Sequence, residues 1–405
     1  MRVLIVGSGG REHALAWKLS QSGDVELHAA PGNPGIAALD TCHPVRAVDA
    51  DGLLELAQGI EIELALIGPE APLVAGVADR LRHGGVPTFG PSAEAARIEG
   101  SKSFAKDVLE AAGVPAARTL DIPAPPCVVK ADGLAAGKGV FVCRTREELD
   151  AGLAAARGFD GPVVVEELLE GEELSVFALC DGSRAIPLGA ARDYKRAADG
   201  DTGPNTGGMG TFSPVPGFGG EEVADLVDHI HAPVIEQLAR RGAPFAGVLF
   251  AGLMLTAEGP KVLEFNCRFG DPETQSLVPL LDGDLLGALA GAAAGDLAGC
   301  DLEVGNRAAV TVVVAGGLYP EQNDAGSPIE GVERAEQLGT HVFHAGTALH
   351  GDRLVTNGGR ILGVTGVADD LEQARVVAYL GAAEISFAGA RYRTDVALPE
   401  TSHVG

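Results

Sequence analysis

Residues Val262–Gln275 read VLEFNCRFGDPETQ. Val262, Leu263, Glu264, Phe265 and Asn266 predict a strand, ended by turn formers at Gly270 and Pro272. Side chains alternate along a strand, so Glu264 and Asn266 share one face while Val262 and Phe265 are left for packing. A carboxylate and an amide oxygen one strand repeat apart suit a hard cation such as Mg²⁺, which takes its other ligands from phosphates or water. Arg268, Asp271 and Glu273 follow at once, adding an anion clamp and further carboxylates. The same residues would also fit a buried strand that runs into a polar surface loop, so the metal reading needs partners elsewhere in the chain.

Composition narrows the partners. With 56 acidic and 30 basic residues the formal charge is −26, which argues against nucleic acid or an anionic membrane as a partner. If the substrates are phosphates, the basic residues must be gathered locally. A chain of 405 residues predicts two to four domains. The six cysteines form no C-x-x-C pair and no His cluster accompanies them, so a zinc site is not expected and a reducing, cytoplasmic setting is. No apolar run is long enough to span a membrane, and MRVLIVGSGG reads as a first strand and not as a signal peptide.

From the N-terminus, Val3–Val6 followed by Gly7-Ser8-Gly9-Gly10 and a helical pattern make a strand, a glycine turn and a helix N-terminus, a ready anion site. The dinucleotide fingerprint would need a third glycine at position 12, which is Glu12, and an acid after the second strand, where Pro31 stands. A nicotinamide cofactor is therefore disfavoured; another phosphate or sugar ligand, or a plain structural turn, remains. Loops after Gly7, Pro31 and Gly68 follow three strands and gather on one sheet edge. Cys127–Lys130, the glycine-rich loop 131–139 and Val140–Cys143 form a hairpin able to fold over phosphates; the spacing of Gly133, Gly137 and Lys138 does not match a Walker A loop. Strands to residue 189 suggest a small lobe of its own. The run Asp193-Tyr194-Lys195-Arg196 is a basic patch in an acidic chain, and the loop DGDTGPNTGGMG (199–210) beside it is expected to contact substrate. Past residue 305, short strands and the helical pattern 371–389 make a small α+β domain.

Read together, these stretches resemble the glycinamide ribonucleotide synthetase (phosphoribosylamine–glycine ligase) family of the ATP-grasp superfamily. The resemblance rests on GSGGREHALAWKL, PGN, GPEAPLVAG, FGPSAEAARIEGSKSFAK, VKADGLAAGKGV, DTGPNTGGMG, FNCRFGDPETQ, HAGT and TNGGR, in that order and nearly end to end. It implies an α/β and α+β multidomain chain: a Rossmann-like N-terminal domain (1–100), a two-lobed ATP-grasp core (101–305, with 122–189 as the flap-bearing lobe) and a small α+β C-terminal domain (306–405). It implies ligation of glycine to 5-phosphoribosylamine with ATP and Mg²⁺ (or Mn²⁺), in the cytoplasm, with a monomer as the working expectation. Lys102 and Lys130 would meet the ATP phosphates, with Gly133, Gly137, Lys138 and Gly139 in the flap. Glu167 and Leu169 would sit at the adenine hinge and Glu173 at the ribose. Glu264 and Asn266 would bind the metal, and Lys195, Arg268 and Asp193 would serve catalysis. Gly9, Gly10, Asn33, Pro69, Glu70, Asp271, Pro272 and Glu273 would contact phosphoribosylamine and glycine. Two features depart from the family pattern: Tyr194 stands where a histidine is usual and cannot carry a positive charge, and the stretches 115–126 and 155–162 are short for the family. Other readings are an ATP-grasp ligase for a different acid or amine, a nicotinamide oxidoreductase, and a nucleotide-binding regulator without turnover.

Overall fold

The structure is a computed structural model that describes residues 1–134, 139–159 and 161–398; Gly137 and Lys138 of the expected flap lie outside the described residues. The N-terminal sheet has five parallel strands in the order Thr41–Cys42, Glu26–Pro31, Arg2–Gly7, Leu64–Ile67 and Thr88–Phe89. The chain winds outward in both directions from Arg2–Gly7, which places the loops after Gly7, Pro31 and Ile67 at one edge. Val3 to Val6 are at most 1% exposed, as the unbroken apolar run of a strand covered on both faces requires.

A second, wholly antiparallel sheet of eight strands carries the rest. Its order is Gly259–Asn266, Ala246–Thr256, Glu172–Asp181, Ala185–Asp193, Gly210–Ser213, Ala308–Ala315, Arg360–Ala368 and His341–His344. The last three strands belong to the C-terminal part of the chain, so the sheet runs on from the core into it. The hairpin Ala246–Thr256/Gly259–Asn266 turns at Ala257-Glu258. Its register slips once: Gly252 pairs Glu264 and Leu253 pairs Val262, leaving Leu263 as an extra residue. The bulge explains a pattern that strict alternation cannot. Val262 and Phe265, an odd number of residues apart, both enter the core at 1% and 3% exposure, while Glu264 and Asn266 still share the other face.

The small lobe is narrower than expected. Val140–Cys143, Cys127–Ala131 and Val163–Glu167 form a three-stranded sheet with the helix Arg146–Ala156 and a core of its own, including Cys127, Val129, Leu149 and Val165. Residues 172–189 do not belong to it, which corrects the boundary at 189. Glu172–Asp181 pairs along its length with Ala246–Leu255. Its continuous apolar stretch Val176–Cys180, entirely buried, is the mark of a central strand covered on both faces. The helical stripe at 223–238 is buried as expected, but it is split into Gly220–Leu226 and Ala232–Arg240 by a wide turn at Val227–His231 next to Pro233. All six cysteines are free, and among the described residues no helix is long and apolar enough to cross a membrane.

The N-terminal helix Gly10–Leu19 docks on the strand His341–His344. There the His344 N–H donates to His13 Nδ1 at 2.8 Å, and the Asn33 amide donates to the His344 carbonyl at 2.8 Å. Burial holds His13 near a pKa of about 3 and His344 near about 4, so both are neutral in the fold. An unfolded chain takes up these protons below about pH 6.5. The folded state resists that uptake, so stability is complete above that pH and is lost as the pH falls toward the folded values. The melting temperature is therefore expected to drop between pH 6.5 and 4.5. His13→Gln, which can accept the same hydrogen bond but gains no proton, should show a smaller drop; an equal drop in both would remove His13 as the cause.

Candidate active site

The three parts meet around one cavity of about 1280 Å³. Its wall contains Lys102, Lys130, Gly133, Gly139, Glu167, Leu169 and Glu173 on the lobe side and Glu264 and Asn266 on the hairpin. Pro69, Glu70, Asp193, Lys195, Arg268, Asp271 and Glu273 complete it from the other loops.

The lobe side is built by strand geometry. Lys130 and Glu166 lie on one face of the Cys127–Ala131/Val163–Glu167 pair. Glu166, 2% exposed, takes Lys130 Nζ on one oxygen and Lys106 Nζ on the other, each at 2.7 Å. Lys130 Nζ also donates to the carbonyl of the bulged Leu263 at 2.9 Å, so the bulge that orients Glu264 also anchors this lysine. Lys102 opens the helix Lys102–Ala112, whose first turn is tied to Asp132 at the base of the glycine loop: the Ser103 hydroxyl donates to Asp132 Oδ2 at 2.6 Å. Lys102 Nζ donates to the Gly133 carbonyl at 3.1 Å. Burial pushes its ammonium below the ordinary lysine value, which favours an anion beside it.

Glu264 shows the opposite balance. Burial pushes its carboxyl up, but the charges of Lys195, Lys130, Lys102 and Arg268 overcome this and hold it below the usual range. It is a carboxylate surrounded by cations. Asn266 Oδ1 accepts from Arg268 Nη2 at 3.0 Å. Arg268 is also paired with Glu99 at 3.2 Å and Glu70 at 3.3 Å. Lys195 Nζ is held by Glu173 Oε2 at 2.6 Å, so the residue expected at the ribose is engaged with a lysine. Asp271 Oδ2 accepts from Arg360 Nη2 at 2.9 Å.

Four expected contacts are not on the cavity wall: Gly9, Gly10, Asn33 and Pro272. The reason lies at Glu12. Its carboxylate accepts the Gly9 N–H at 2.6 Å and pairs with Arg11 Nε at 2.5 Å. A Cβ on Gly7, Gly9 or Gly68 would come within 2.6, 2.9 or 2.1 Å of the Glu12 side chain. The anion cradle foreseen at the first glycine turn is thus filled by the chain's own carboxylate, and the glycines leave room for it. Gly10 packs on Gln275, and Asn33 spends its side chain on the Ser8 and His344 carbonyls and the Ile36 N–H. Pro272 follows a cis bond and caps the helix Glu273–Leu277.

Other wall residues were not singled out from the sequence. Arg11, Glu99, Lys106, Glu166, Tyr319 and Arg360 all line the cavity. Tyr319 and Arg360 reach in from the C-terminal part and grip the glycine-rich loop: the Tyr319 hydroxyl accepts the Gly207 N–H at 2.9 Å and Arg360 donates to the Gly207 carbonyl. Arg360 sits within the motif TNGGR, but no spacing rule links it to residue 207. Tyr194 turns toward the chain end. Its hydroxyl accepts the Ala397 N–H at 2.9 Å and the Arg393 guanidinium lies 4.7 Å from its ring centre.

Comparison with known proteins decides the family. Residues 1–99 match the phosphoribosylglycinamide synthetase N domain, 100–274 its ATP-grasp (A) domain and 309–399 its C domain. The chain belongs to the phosphoribosylglycinamide synthetase family. The phosphoribosylamine–glycine ligase of Streptomyces coelicolor is 49% identical over 98% of this chain and 99% of its own. The crystal structure of the Thermotoga maritima phosphoribosylamine–glycine ligase superposes with a TM-score of 0.86 at 34% identity, covering 98% of this chain and 100% of that one. A biotin carboxylase domain from Hydrogenobacter thermophilus shares the fold at a TM-score of 0.72 and 16% identity, covering 96% of this chain and 91% of that one. The multidomain α/β architecture expected from the sequence, an N-terminal domain, an ATP-grasp core and a C-terminal domain, is that of the family. Membership of the ATP-grasp group implies that the chain uses ATP.

Proposed function

We propose that the chain joins glycine to 5-phosphoribosylamine with cleavage of ATP, giving glycinamide ribonucleotide, ADP and phosphate, the second step of de novo purine synthesis. The observation that carries this is the cluster of Lys102, Lys130 and Lys195 around Glu264, beside Asn266 and Arg268. It stands in a chain alike over almost its whole length to ligases of that name. Such a cluster neutralises transferring phosphate and offers no Ser–His or Cys–His nucleophile, as expected where positioning and charge do most of the catalysis.

Glu264 and Asn266 fit Mg²⁺ (or Mn²⁺): both are hard oxygen donors on one strand face. Among the described residues no three His, Cys, Asp or Glu side chains group as a metal cage, in keeping with an ion that draws its other ligands from phosphates and water. When bound at Glu264 and Asn266, the ion would supply positive charge against the phosphates. On this reading Lys102 and Lys130, both on the cavity wall, meet the ATP phosphates, and the backbone of 167–169, also on the wall, meets the adenine. The glycine carboxylate attacks the γ-phosphorus and ADP leaves; the amine of phosphoribosylamine then attacks the glycyl carbon and phosphate leaves. The acyl phosphate must be kept from water, which a closed lobe would do. The free cysteines support a reducing, cytoplasmic setting, and we take the chain to act as a monomer.

The test is phosphate release with ATP, Mg²⁺, glycine and phosphoribosylamine formed in place from ribose 5-phosphate and ammonia. Release that requires both substrates is expected. Tight ATP binding with turnover indifferent to glycine would keep the fold and remove the assigned substrate.

A further inference from the structure

The acids on the cavity wall divide into two groups. Glu264, Glu70 and Asp271 have cationic neighbours that hold their carboxyls low in spite of burial. Asp193 and Glu273 go the other way. Burial raises both, and the Glu273 charge raises Asp193 further, against the opposing pull of Lys195 and Arg360 and with Glu173 adding to the rise. On Glu273, burial outweighs a hydrogen bond from its own backbone N–H and the charges of Arg268 and Lys195, with Asp271 adding to the rise. Environments that drive neighbouring acids apart mark acid–base roles.

Geometry sets Asp193 apart more sharply. It ends the strand Ala185–Asp193 at the cavity, and its Oδ1 is shut away from water with no hydrogen-bond partner among the described residues. That oxygen lies against Gly208, where a Cβ would come within 2.6 Å of it and 2.4 Å of Pro272 Cδ. Gly208 has φ +108° and no side chain, so the Asp193 carboxyl can sit beside the turn that leads into Glu273, itself 4% exposed. The nearby cations have other partners: Lys195 is held by Glu173, Arg268 by Glu70 and Glu99, and Arg360 by Asp271. A buried carboxylate oxygen without a donor is costly unless a ligand supplies one.

We propose that Asp193 accepts the proton of the phosphoribosylamine amine as it attacks glycyl phosphate, with Glu273 on the same cavity wall as the neighbouring charge. This rests on the ligase reading above. In the step, the nitrogen lone pair forms the C–N bond, the C–O bond to phosphate breaks with its electron pair leaving on phosphate, and the N–H proton passes to the Asp193 carboxylate. No oxidant or further reactant is needed.

The test compares two nucleophiles in the presence of Mg²⁺, ATP and glycine: phosphoribosylamine, and hydroxylamine, which captures acyl phosphates as hydroxamates without help from a base. Asp193→Asn is expected to lower the ratio of phosphoribosylamine to hydroxylamine turnover by about a hundredfold, the range of a lost proton-transfer group. Glu273→Gln, which removes the neighbouring negative charge, is expected to move the acidic limb of the kcat profile to lower pH. An unchanged nucleophile ratio in Asp193→Asn would overturn the proposal, as would an unmoved limb in Glu273→Gln. Wild-type protein that forms no ADP with glycine and either nucleophile would remove the ligase reading itself, and this proposal with it.

Discussion

Arg268→Met is expected to cost about 3 kcal/mol of stability and to abolish turnover. The guanidinium is the shared partner of Glu99, Glu70 and the Asn266 amide oxygen. Its removal leaves Glu99, 10% exposed at the side chain, without its cation. Breaking a buried pair from one side typically costs about 3–5 kcal/mol. The lower end applies because burial already pushes the Glu99 carboxyl above its ordinary range, so a proton can replace the lost charge. Stability and activity should separate in the double variant Arg268→Met/Glu99→Gln: the urea midpoint recovers most of the loss, while turnover does not return because the Asn266 oxygen and the cavity still lack the cation. A single variant as stable as wild type would show that the network is not a structural support.

Glu264→Gln is expected to reduce turnover at least a hundredfold with the fold intact. Loss of groups that only orient metal ligands costs about 10–100-fold, so loss of a ligand itself should cost no less. Glutamine keeps the shape and one oxygen but gives up the charge that faces Lys195, Lys130, Lys102 and Arg268. The Mg²⁺ concentration for half-maximal rate should rise with it. Near-normal turnover at ordinary Mg²⁺ would remove Glu264 as an essential ligand.

The parts of this account that the sequence disclosed are those set by local chemistry. Alternation alone put Glu264 and Asn266 on one face, and of the loops after the first sheet's strands the one with Pro69 and Glu70 lines the cavity. Two kinds of feature stayed hidden. One is register: the bulge at Leu263 and the pairing of Glu172–Asp181 with Ala246–Leu255 depend on which strand becomes the neighbour, which an acidic run such as EELLEGEE does not declare. The other is long-range pairing. Glu166 serves Lys106 and Lys130 from the start of the acidic run 166–173, and Arg360 reaches residue 207 across 153 positions of chain. Glu12 was visible as the residue that breaks a dinucleotide fingerprint. What the sequence could not say is that it fills the cradle itself, which takes Gly9 and Gly10 out of the cavity.

The most direct test of the ligase mechanism follows oxygen. Glycine labelled with ¹⁸O in its carboxylate is supplied with ATP, Mg²⁺ and phosphoribosylamine, and the released phosphate is analysed by mass. Attack of the glycine carboxylate on the γ-phosphorus predicts one ¹⁸O in each phosphate formed. Phosphate free of label, released at the full rate of product formation, would contradict glycyl phosphate as the intermediate and with it the roles assigned to this cavity.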